Sequence, residues 1–192
     1  MSHIIKITTL ALTLLGMSFF ACATDEQIYL GMGFATGSGS QEAKGNFGTS
    51  EDDLDQTQGD IEVGYVFASG KRLEVSFTSI DIENAGEKGE YAGIDFDWHF
   101  PLSKGKFQPF LGLGFGLYEF KDSAKNFDQS DDLGGLALNF LGGVFIPASE
   151  ELEFEISYKI KGIGWEEAEQ NGSEVELSSG LSAIAFSGRF KF

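Results

Sequence analysis

Charged side chains recur at every second position in four parts of the chain. Arg72 and Glu74 form the first pair, and Asp95, Asp97 and His99 form the next set. Glu153 and Glu155, with Lys159 a little further on, form the third, and Arg189 and Lys191 the fourth. Carboxylates beside cations and one imidazole could exchange protons, gate a passage or hold a charged solute. The same groups could instead neutralise one another in a filled polar core, because unpaired buried charge is expensive. We favour the polar core. His99 then reads as a hydrogen-bonded filler, not a base or a metal ligand. No catalytic residue, metal site or cofactor is assigned.

The spacing that carries these charges is strand spacing, and it runs through eight segments. One face of each segment is apolar: Ile28, Leu30, Met32, Phe34; Ile61, Val63, Tyr65, Phe67; Leu73, Val75, Phe77; and Ala92, Ile94, Phe96, Trp98, Phe100. The series continues with Leu111, Leu113, Phe115, Leu117; Leu136, Leu138, Phe140, Val144, Ile146; Leu152, Phe154, Ile156, Tyr158, Ile160; and Ile184, Phe186, Gly188, Phe190, Phe192. No charge lies on these faces. The charges above, with Asp60, Glu62 and Lys161, share the other faces with glycine and small residues.

Composition narrows the class. The chain has 192 residues and a net charge of −17, which opposes nucleic-acid binding. One cysteine, Cys22, excludes a disulfide framework. Phe is abundant, at 19 residues, although the mean hydropathy is −0.07. Met1 to Lys6 followed by an apolar run and Ala21-Cys22-Ala23 predicts an export signal over 1–23 and a mature chain from Thr24. Acylation of Cys22 and an uncleaved anchor are the alternatives. Loss of Lys6 takes the net charge to −18.

A soluble sandwich would have to bury Ile, Leu, Phe and Trp from every strand together. Turned inside out, the same strands put apolar rows on lipid and small or paired polar residues in a narrow interior. Connection lengths agree. Short links, at 68–71, 101–106 and 147–151, alternate with longer ones at about 37–56, 81–90, 119–132 and 164–176. The long links hold 19 acids against 4 lysines, so most of the negative charge is expected there. Glu51-Asp52-Asp53-Leu54-Asp55 fails the EF-hand pattern and reads as a solvated loop. Gly31 and Gly33, with Gly112, Gly114 and Gly116, are expected to leave room for Arg and Lys side chains. On that reading Gly114→Ser is tolerated and Phe115→Arg is not.

At this point the chain resembles the small outer-membrane β-barrel family of Gram-negative bacteria, the OmpA/OmpX-type barrels. The segments 28–34, 108–116 and 152–158 carry the likeness. So does the ending Phe186, Gly188, Phe190, Phe192, which resembles the signal read by the outer-membrane insertion machinery. The resemblance implies an all-β fold: an eight-stranded antiparallel up-and-down transmembrane barrel over 24–192, with short periplasmic turns and longer extracellular loops. It implies contact with outer-membrane lipid and lipopolysaccharide, and a monomer. Lipid-modifying members place a Ser-Asn after the histidine; here Trp98-His99-Phe100 departs from that. No peptidoglycan-binding half is expected.

Strand direction then puts Glu153, Glu155, Arg189 and Lys191 together at the periplasmic end as cross-strand ion pairs. Arg72 and Glu74 are expected beside Asp97 and His99. The expected role is structural, or surface recognition of a ligand through acidic loops. A narrow channel for small or apolar solutes is the alternative, and a lipid-modifying enzyme is the third.

Overall fold

The computed structural model describes residues 26–45, 48–84, 87–121, 133–166, 168–170 and 173–192. The expected export signal lies outside them. Every regular element among them is a strand: β1 (Gln27–Gly45), β2 (Gly48–Val66), β3 (Arg72–Asn84), β4 (Glu87–Pro101), β5 (Gln108–Lys121), β6 (Leu133–Pro147), β7 (Leu152–Trp165), the three-residue β8 (Ala168–Gln170) and β9 (Ser173–Lys191). Each long strand pairs antiparallel with the next, and β7 pairs with β9. β1 pairs with β9 from Tyr29↔Lys191 to Gly45↔Val175, so the sheet closes into an eight-stranded barrel. β8 only extends the β9 hairpin. Closure matters because lipid offers backbone N–H and C=O groups no partner.

The faces follow the alternation in the sequence. Met32, Ile61, Leu113, Phe140 and Phe186 point outward and are more than half exposed. Asp60, Glu62, Arg72, Glu74, Glu153 and Arg189 point inward and are buried. A water-soluble protein does the reverse, since so large an apolar surface would drive association in water.

This inversion ends part-way up the strands. Along β3 the outward row runs Leu73, Val75, Phe77 and then Ser79, Asp81, Glu83, while the inward row runs Arg72, Glu74, Ser76, Thr78 and then Ile80, Ile82. In β7 the outward row passes from Ile160 to Gly162 and Gly164, with Glu166 just beyond the strand, as the inward row passes from Lys161 to Ile163 and Trp165. β5 and β9 switch in the same way, and in β2 the outward row turns polar at Thr57 and Asp55 while Gln58, Gln56 and then Leu54 point inward. Beyond the switch the barrel is built like a soluble protein, with an apolar inside and a polar outside. We place the edge of the bilayer at this crossover.

The crossover also corrects the loop reading. Two of the predicted long loops are strand. The β1–β2 ladder continues from Gly37↔Gln56 to Gly45↔Gly48, and the β3–β4 ladder from Asp81↔Glu90 to Asn84↔Glu87. β5 runs on to Lys121, and β8 and the start of β9 occupy most of 168–176. The run Glu51–Asp55 lies in β2, with Leu54 turned into the barrel. Hydropathy misses such strands because their outward face meets water, so the apolar row vanishes or changes sides. The predicted link 119–132 lies mostly outside the described residues.

The short turns are tight. Phe67 N donates to Lys71 O at 2.9 Å and Gly70 N to Phe67 O at 2.7 Å, and Gly70 has φ +85°, which suits glycine.

Phe115 faces lipid near the middle of the apolar belt. Phe115→Arg should cost roughly 2–4 kcal/mol of folding stability in lipid. Ser76 faces the lumen with one hydrogen bond to Glu74 at 3.3 Å, so Ser76→Ala should cost under about 1 kcal/mol. Gly114→Ser is not the mild change the sequence suggests, because a Cβ there would collide with the Asp97 carboxylate and the Phe96 carbonyl. Urea titration in liposomes, read by the mobility shift between boiled and unboiled samples, measures all three. Equal costs for Phe115→Arg and Ser76→Ala would mean the faces are misassigned.

Candidate functional site

The lumen is filled in layers. The layer nearest the short turns centres on Arg189 of β9. Its Nε donates to Glu62 of β2 at 2.8 Å and its Nη2 to Glu74 of β3 at 2.7 Å. The same Nη2 lies 2.5 Å from Glu155 of β7, a charge contact without an aligned hydrogen bond. One guanidinium therefore serves three carboxylates from three strands, all of them buried. Its planar fork of donors suits this task better than a lysine would. Tyr29 adds a hydroxyl donor to Glu74 at 2.7 Å. Gly31 and Gly64 make the packing possible: a Cβ on Gly31 would meet Glu62 at 2.7 Å and Arg189 at 3.0 Å, and one on Gly64 would strike the Tyr29 ring.

Beside it, Glu153 of β7 takes both arms of Arg72 and the ammonium of Lys191, the latter at 2.6 Å. The Arg72 guanidinium also sits 3.5 Å from the centre of the Phe145 ring, which stacks on Phe110 at 4.1 Å. His99 packs against both rings, at 5.1 and 5.8 Å. Neither of its ring nitrogens hydrogen-bonds to the described residues. It is thus an aromatic-pocket residue, not the hydrogen-bonded filler expected, because its neighbours there are phenylalanines.

The next layers hold Lys159, Lys161 and their carboxylates. Lys159 reaches Asp60 of β2 at 3.3 Å, and Gln58 and Thr78 also donate to Asp60. Asp95 of β4 accepts from Lys161 at 2.8 Å, Tyr118 at 2.5 Å and Asn139 at 2.8 Å, and the Thr78 oxygen, whose one proton goes to the nearer Asp60, lies 3.1 Å away. Lys161 also touches the Tyr118 hydroxyl and lies over its ring at 4.2 Å. Asn139 bridges to Asp97 at 3.0 Å.

Above these polar layers lies an apolar cap of Ile80, Ile82, Tyr91, Phe120, Ile163, Trp165 and Leu177 with their neighbours. Its two polar tips are satisfied together: Trp165 Nε1 donates to Ser179 Oγ at 2.9 Å, and Tyr91 Oη lies 3.1 Å from the same oxygen.

The sequence-predicted residues are thus all inside the barrel, but their partners differ in part. Glu153, Glu155, Arg189 and Lys191 come together at the short-turn end. Arg72 stands opposite His99 in the β3–β4 register and Glu74 opposite Asp97. Their ionic partners nevertheless lie across the lumen, on β7 and β9, because the stagger of a closed barrel brings distant strands face to face. Gly33, Gly112, Gly114 and Gly116 leave room mainly for Glu62, Asp60, His99, Asp97, Asp95 and Tyr118, not for Arg and Lys. Asp60, Glu62, Tyr29, Tyr118, Asn139 and Lys161 belong to the network but were not among the predicted site residues. Inward phase was their signal. Phe186, Gly188 and Phe190 form the outward row at the end of β9, and Phe192 follows just beyond the strand.

Truncating Arg189 would leave three carboxylates without their shared cation. Arg189→Leu should therefore cost about 3–5 kcal/mol, and Arg189→Leu with Glu62→Gln and Glu74→Gln should recover part of the loss. The same urea titration reads both, and a single-variant loss under about 1 kcal/mol would contradict the assigned role.

Among the described residues no group of three or more His, Cys, Asp and Glu is arranged to hold a metal ion. No curated protein matches the chain in sequence. The family model for the outer membrane protein beta-barrel domain matches residues 7–181. Among solved structures, the outer membrane protein OprG from Pseudomonas aeruginosa superposes with a TM-score of 0.50 at 14% identity, over 88% of this chain and 96% of that one. Neisserial surface protein A gives 0.49 at 18% identity, over 86% and 97%. The N-terminal β-barrel domain of P. aeruginosa OprF gives 0.46 at 13%, over 84% and 97%. At such identities OprG bears on the fold alone, and the family match bears on kinship. The chain belongs to the outer membrane protein beta-barrel domain family, and its place is the outer membrane of a Gram-negative bacterium.

Proposed function

We propose that the protein is a sealed, non-enzymatic barrel whose role is structural or lies in surface interaction through its acidic extracellular hairpins. One observation carries this reading: most of the described side chains that point into the lumen, from the short-turn end to the apolar cap, are buried. A water-filled passage would leave its lining exposed, yet Phe145, His99 and Glu153 have no exposed surface, and Arg189, Asp95, Ile163 and Leu177 have at most 5%. The Phe110–Phe145 stack packs among the polar groups at the short-turn end, and the apolar cap covers the polar layers at the other. An ion crossing the barrel would have to displace both.

The non-enzymatic part rests on His99. It is fully buried against the stacked Phe110 and Phe145 rings at the short-turn end, away from any surface where a lipid could meet it. The surface-interaction part rests on the hairpins. Beyond the crossover the outward face carries Glu51, Asp53, Asp55, Asp81, Glu83 and Glu176, all exposed, presenting negative charge to whatever approaches. The same reading keeps residues 1–23 as an export signal, takes the row Phe186–Phe192 as the insertion signal, and makes the protein a monomer.

Planar-bilayer recording of the refolded protein tests the seal. Quiet membranes are expected, with no discrete current steps for the wild type. Reproducible single-channel steps would overturn the sealed reading in favour of a narrow channel. An altered lipid A mass in cells that express the protein would overturn its non-enzymatic part.

A further inference from the structure

The short-turn end is not uniformly charged. Among the described residues its exposed cations are Lys71 in the β2–β3 turn and Lys104 and Lys106 in the β4–β5 turn. Its exposed acids, Glu150 and Glu151, sit in the β6–β7 turn. The two basic turns are neighbours, because β3 and β4 pair down to Arg72↔His99, and the Lys71 ammonium lies 5.8 Å from the Phe100 ring centre.

The basic sector is also apolar. Leu102 and Phe107, at either side of Lys104 and Lys106, are 64% and 66% exposed. They continue the lipid-facing phases of β4 and β5 beyond the strand ends, after Phe100 and before Pro109 and Leu111. The turn holds a defined shape: Leu102 N donates to Pro109 O at 2.7 Å, Gln108 Nε2 to Gly105 O at 3.2 Å, and Ser103 Oγ to Phe107 O at 3.4 Å. Exposed Leu and Phe in a shaped turn make little sense in water. At a membrane edge they sit among acyl chains, while lysine stems run along apolar surface and lift their ammonium groups to phosphate depth.

We propose that Lys71, Lys104 and Lys106, with Leu102 and Phe107, form a docking site for an anionic glycerophospholipid of the periplasmic leaflet. Charge complementarity and depth single out this occupant. Among the described residues the opposite end of the barrel is acidic and holds no comparable cluster for the phosphates of outer-leaflet lipid. The inference uses the family's orientation, short turns to the periplasm, and is independent of whether the lumen conducts.

The test uses the refolded full barrel in mixed micelles holding equal phosphatidylglycerol and phosphatidylethanolamine of matched chains, with retained lipid counted by native mass spectrometry. The wild type should retain phosphatidylglycerol preferentially. Each Lys→Gln change should lower that preference by about fivefold, so Lys71→Gln, Lys104→Gln and Lys106→Gln together should abolish it. Lys44→Gln with Lys88→Gln, at the other end, should leave it intact. Leu102→Ser with Phe107→Ser should lower retention with the lysines in place. Excess glycerol phosphate should not displace the lipid. A preference that survives the triple change, is lost in the Lys44/Lys88 variant, persists at full strength without Leu102 and Phe107, or yields to glycerol phosphate would overturn the proposal. The boiled-versus-unboiled shift confirms that each variant is folded.

Discussion

Hydrocarbon gives the backbone no hydrogen-bond partner, and the rest of this structure depends on that constraint. It forbids a free sheet edge inside the membrane, so β1 must find β9. Eight strands closed on themselves leave a bore only as wide as the side chains pointing into it. Residues that turn away from lipid must then meet one another across that bore. A lysine or glutamate placed there cannot remain solvated, and its partner must come from another wall. Arg189 with Glu62, Glu74 and Glu155, and Glu153 with Arg72 and Lys191, are what this geometry requires.

Glycine enters the same account as the counterpart of large lumen residues. Where Tyr29, Tyr118, His99 or a carboxylate crosses toward its partner, the facing position on the adjoining strand is Gly64, Gly93, Gly112 or Gly114. The Gly-rich row of β5 is therefore packing, and the space it opens is already taken.

The wall of the barrel was legible in the sequence and the interior only partly so. Within the bilayer the outward rows from Ile28 to Phe34 or from Leu152 to Ile160 alternate against small or charged residues, and one phase serves each strand throughout. Partners on adjacent strands, such as Glu153 with Lys191 or Glu155 with Arg189, follow from strand direction. Partners across the lumen do not, because they depend on closure and stagger: Arg72 finds Glu153 and not Asp97. The cap was missed for another reason. Ile80, Ile82, Ile163 and Trp165 lie in segments read as loop or strand end, where apolar residues had changed faces and the alternation no longer stood out.

The crossover from outward-apolar to inward-apolar fixes the height of the barrel in the bilayer. Sinking by one residue pair would carry Ser79, Glu119 or Ser182 into hydrocarbon, and rising by one would lift Phe77, Leu117 or Ile184 into water. Around most of the circumference the switch spans a single step along the strand, so both displacements are opposed on several strands at once. A bilayer of different thickness must then thin or thicken around the protein, since the barrel has little freedom to slide. The annulus of lipid beside this small barrel is accordingly set by the protein, and neighbouring barrels would sense each other through it.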